Sequence, residues 1–90
     1  MVDFFKDLDY ETATEVEALT RLIYELRQIR NDLLASCAVP DDGVLLERIN
    51  AGELEEHPGY EQYLAARILA DTCETARQLV AEKLQEAQRR

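Results

Sequence analysis

A chain of 90 residues, 47% apolar and 32% charged, makes one small domain with enough Leu, Ile, Val and Tyr to offset the entropy of ordering. Its net charge of −9 argues against direct nucleic-acid binding, which needs Lys and Arg to displace counterions, and equally against an anionic membrane surface. The same charge suits a basic protein partner, or serves solubility alone.

The N-terminal stretch, residues 1–10, reads as an acidic arm carrying Phe4, Phe5 and Leu8. It has no signal-peptide core, and nowhere does an apolar run approach the ~18 residues of a membrane span, so the cytoplasm is the expected compartment.

A first long helix follows. Thr12 and Glu15 fit a capping box, and Glu11, Glu15 and Glu17 suit the positive end of the helix dipole. Leu19, Leu22, Leu26, Ile29 and Leu33 recur at alternating spacings of three and four, a two-position heptad seam widened by Val16, Ile23 and Cys37. Glu17 and Arg21 form an outward i,i+4 pair. The helix should end near Ala38, because Pro40 keeps Val39 out of the helical region.

Pro40, Gly43, Gly52, Pro58 and Gly59, every proline and glycine of the chain, lie between residues 40 and 59, so residues 39–57 read as a broken connector between two long helices. Asp41 and Asp42 can cap a short helix through Val44–Ile49, and Asn50, Ala51 and Gly52 supply its stop. A last long helix runs from about Pro58 to Ala87, since proline is tolerated in a first helical turn. Its apolar side comprises Tyr60, Leu64, Ile68, Leu69, Cys73, Ala76, Val80, Leu84 and Ala87. Ala65, Ala66, Ala70 and Ala81 allow close helix approach, and Arg89 and Arg90 complement the negative end of the dipole.

The expected fold is therefore all-α: an antiparallel hairpin of two long helices, each about 40–45 Å at 1.5 Å per residue, with a short helix between them. One hairpin has no second layer to hide stripes of that length. A homodimeric four-helix bundle is the expected remedy; cover by the short helix and Phe4, Phe5 and Leu8 is the rival one.

The stretch Glu55-Glu56-His57-Pro58-Gly59-Tyr60-Glu61-Gln62-Tyr63 contains the only histidine. A di-iron bundle would need Glu-x-x-His within a helix, but Leu54 stands three before His57 and Pro58 interrupts. No cofactor and no metal are expected. Cys37 and Cys73 lack C-x-x-C spacing and read as small apolar residues, with no catalytic thiol. The segment Arg27–Asp32 lacks the histidine that helical nucleases need a few residues on.

Acidity concentrates in the N-terminal arm and in Asp41–Glu61, where only Arg48 opposes it. The leading expectation is a non-enzymatic interaction module, an accessory protein, chaperone or adaptor. It would meet a basic protein partner through Glu55, Glu56, His57, Tyr60, Glu61 and Tyr63. A metal-binding or redox-responsive bundle is the second reading, and an acidic inhibitor of a nucleic-acid-binding protein the third.

Overall fold

Three helices in chain order, α1 (Tyr10–Ser36), α2 (Asp42–Asn50) and α3 (Glu56–Arg89), make up the fold, with no strand among the described residues. The computed structural model describes residues 9–89. The expected acidic arm, apart from Asp9 and Tyr10, and the expected roles of Phe4, Phe5, Leu8 and Arg90 lie outside the described residues. The all-α class holds, and α1 and α3 run antiparallel in a rod of 55 × 21 × 19 Å.

The start of α1 differs from the capping-box expectation. Asp9 is the N-cap, in extended conformation, and its carboxylate accepts from the Thr12 amide at 2.6 Å. A carboxylate at this point meets both the free amides and the dipole, so the helix starts a turn earlier than a threonine cap would place it. Thr12 and Glu15 fall inside the helix. The expected surface pair is present, with Arg21 Nη2 3.5 Å from Glu17 Oε1.

The end of α1 comes at Ser36, two residues short of the expected Ala38. Cys37 is the C-cap and Ala38 takes a left-handed φ of 55°. The Val39 amide donates to the Leu34 carbonyl and the Ala38 amide to that of Ala35, at 3.1 and 3.0 Å. This is a Schellman motif, and Val39 and Leu34 also pack together, the apolar contact that usually accompanies it. Gly52 repeats the arrangement after α2: its φ is +78°, its amide bonds the Ile49 carbonyl, and the Glu53 amide bonds that of Arg48. Helix α2 opens on Asp41, whose side chain accepts from the Val44 amide at 2.9 Å.

His57 has non-helical dihedrals, so regular helix in α3 begins at Pro58, as proline's place in a first turn requires. Gly59 is buried there, and a Cβ on it would lie 3.1 Å from the Ile49 side chain, so the glycine is what lets α2 and α3 meet.

The core gathers at the connector end. Leu34, Val39, Leu45, Ile49 and Ala66 form one buried cluster, and Leu33, Cys37, Val44, Leu54 and Tyr63 pack against it. Leu45 is fully enclosed, and α2 packs chiefly against α3, on one side of the hairpin that α1 and α3 make with each other. Toward the other end Val16, Cys73 and Ala76 are the only buried side chains among the described residues.

Candidate functional site

Glu15 and Lys83 fix the register of the long helices. Their side chains form an ion pair and hydrogen bond. Stepping seven residues at a time, which returns a helix to nearly the same face, pairs Leu22 with Ala76, Ile29 with Leu69 and Ser36 with Gln62. Ser36 and Gln62 do line a common cleft at the connector end.

That row runs along one broad side of the hairpin, and α2 occupies the other. Between the Glu15–Lys83 pair and Ser36, helical spacing assigns to this side Leu19, Leu22, Leu26, Ile29 and Leu33 of α1, with Ala18, Glu25 and Asp32 along its outer edge. From α3 it assigns Ala65, Ile68, Leu69, Thr72, Ala76 and Leu79. Apart from the two acids at that edge none carries charge, in a chain one-third charged. Leu22 is 40% exposed, Ile29 54%, Ile68 63% and Leu79 41%. Of the seam expected from the sequence, Leu19, Leu26, Leu33, Leu69, Val80 and Leu84 are half-buried and Cys73 and Ala76 buried, whereas Leu22, Ile29 and Ile68 stand open in the single chain. Leu64, expected on the apolar side, is 56% exposed and faces away from α1.

The connector end carries the second surface. Glu55, Glu56 and His57 are exposed where α3 begins. His57 Nδ1 lies 2.6 Å from Glu61 Oε1 across one turn. The Glu61 backbone amide, and then the His57 ring, hold the Glu61 carboxyl below its ordinary pKa. The two tyrosines part company. Tyr63 packs on the core cluster, while Tyr60 remains open and its hydroxyl reaches Asn50 Oδ1 at 3.4 Å. Of the six expected partner residues, the structure thus brings five to one exposed patch and turns Tyr63 inward. A cleft of about 220 Å³ beside them is lined in part by Cys37, Leu54, Glu55 and Pro58.

Among the described residues no group of three or more His, Cys, Asp or Glu is placed to hold a metal ion, and no helix is long and apolar enough to cross a membrane. Cys37 and Cys73 are both free thiols; Cys73 is buried and Cys37 half-buried.

Sequence reasoning missed a charged bridge. Asp42, the first residue of α2, pairs with Arg30 of α1 and lies 3.7 Å from Arg67 of α3. One carboxylate so ties all three helices. The available signal was Arg30 itself, which sits one turn after Leu26 on the inward stripe, where an arginine needs a partner.

No curated protein and no solved structure matches the chain. Residues 11–88, all three helices but for one residue at either end, match the sequence model described as the Uncharacterized protein MJ0235 family, and the chain belongs to that family.

Proposed function

We propose that the chain is a non-enzymatic protein-interaction module that pairs with a second copy through its apolar broad side and offers its acidic connector end to a basic partner. The observation that carries this reading is the exposed row of Leu22, Ile29, Ile68 and Leu79, with charges only at its α1 edge. Monomeric surfaces rarely keep such a face open.

A second copy suits the face better than an unlike partner. The large side chain of Leu22 runs beside the small one of Ala76, and a two-fold operator can set large against small on both sides. Full burial of a Leu or Ile is worth about 1.5–3 kcal/mol, so these half-exposed ones gain roughly 1 kcal/mol each. Eight of them across two copies give roughly 8 kcal/mol, within the ~4–15 kcal/mol that association costs. Pairing is therefore concentration-dependent, with the half-buried leucines of the same side supplying the surplus.

Sedimentation equilibrium tests the pairing. The expected result is twice the chain mass of 10.3 kDa at high concentration, and a single-chain mass for Ile29→Glu. A wild-type chain that stays single at every concentration refutes it. For the connector end, baits of wild type and Glu61→Lys are compared in host lysate. A basic protein held by the first and lost by the second is expected; equal recovery by both refutes that surface.

A further inference from the structure

We propose that the groove between α1 and α3, on the side that α2 occupies, binds an oxyanion, a phosphate group in preference to a carboxylate, between Arg27 and Arg77. The groove holds about 170 Å³. That is room for five or six waters at about 30 Å³ each, and short of the ~300 Å³ at which pockets for drug-sized molecules begin. It fits a charged group rather than a whole large ligand.

Leu26 and Cys73 line the groove together with Arg27, Arg30 and Arg77. Three arginines around one groove are unexpected in a chain of net charge −9. Asp42 holds Arg30, and its Nε is enclosed with no hydrogen-bond partner among the described residues. Arg30 is thereby fixed before any ligand arrives. Arg27 and Arg77 have no ion-pair partner among the described residues. They come from opposite helices, so each can present a planar fork to one face of a tetrahedral anion, the geometry in which arginine outperforms lysine. A carboxylate has only two oxygens to share between two forks.

Glu74 also lines the groove. It repels an incoming anion, and this sets up a test with opposite signs. Inorganic phosphate is titrated at constant ionic strength with chloride as balance, read by phosphorus NMR line width and by thermal melting. Saturable binding is expected in the wild type, at least tenfold weaker in Arg27→Gln/Arg77→Gln and severalfold tighter in Glu74→Gln. Both arginines are exposed, so the double variant keeps its fold, which circular dichroism checks; Glu74→Gln reads the site independently. A response no larger than that to chloride, a double variant that binds as well as the wild type, or acetate binding as tightly as phosphate would each overturn the proposal. The groove lies away from the apolar side, so a failed dimer test leaves it standing, and the reverse.

Discussion

Lys83 and Glu15 stand 68 positions apart in sequence and meet at the open end of the hairpin. The Glu15 hydrogen bond, and with less weight the charges of Glu15, Glu86 and Glu11, raise the Lys83 pKa. A raised lysine pKa contributes stability that is fully present below the unfolded value of about 10.4 and disappears as pH climbs through the folded one. Urea melts of Glu15→Gln, Lys83→Gln and the double variant should therefore show coupling at pH 7 that is lost as pH rises through the raised Lys83 pKa and weakens in high salt. Glu61 has the opposite sign. Its lowered pKa contributes above about 4.3 and is lost as pH falls further, so Glu61→Gln should blunt the acid limb of the stability curve.

Ala38 occupies the left-handed position of a Schellman motif where glycine is the usual residue. Left-handed backbone costs an L-residue roughly 1–2 kcal/mol, partly offset by glycine's greater freedom when unfolded. Ala38→Gly should raise stability by about 0.5–1 kcal/mol in denaturant melts, while Gly52→Ala, at φ +78°, should lower it by a similar amount.

Gly59 faces the Ile49 side chain with no room for a branched residue. Gly59→Val should cost about 1–3 kcal/mol through overpacking. The companion Ile49→Ala, which opens space at the same contact, should cost less in the Gly59→Val background than alone. Melts of the four chains measure this.

Asp42 is the only carboxylate bridging α1, α2 and α3 among the described ion pairs. Its removal leaves the partly enclosed Arg30 without its acceptor. Asp42→Ala should cost about 2 kcal/mol, the scale of a charge-assisted hydrogen bond, and should release α2 first, seen as faster amide exchange at Leu45 and Ile49.

The helices were legible because their signals are local. The Leu19–Leu33 seam, the Pro58 start and the Asp41 cap each depend on neighbours within one turn. Asp9 displaced Thr12 as the first cap because two acceptable caps stood close together, and spacing alone does not rank them. The connector-end patch was legible as composition, from Glu55, Glu56 and Glu61, yet the opposite fates of Tyr60 and Tyr63 depend on where α2 lands. Arg30, Asp42 and Arg67 were invisible as a set, since their meeting is decided by helix register rather than by anything adjacent in the chain.

The lopsided placement of the buried cluster has a mechanical consequence. At one extremity the rods are riveted by Leu45 and Ile49; at the other, little beyond Val16 and a single ion pair clasps them. Thermal opening should travel like a zipper from the clasp toward the rivet. A protease should accordingly trim the two helix ends around residues 10–20 and 80–89 before it can cut anything near the middle helix.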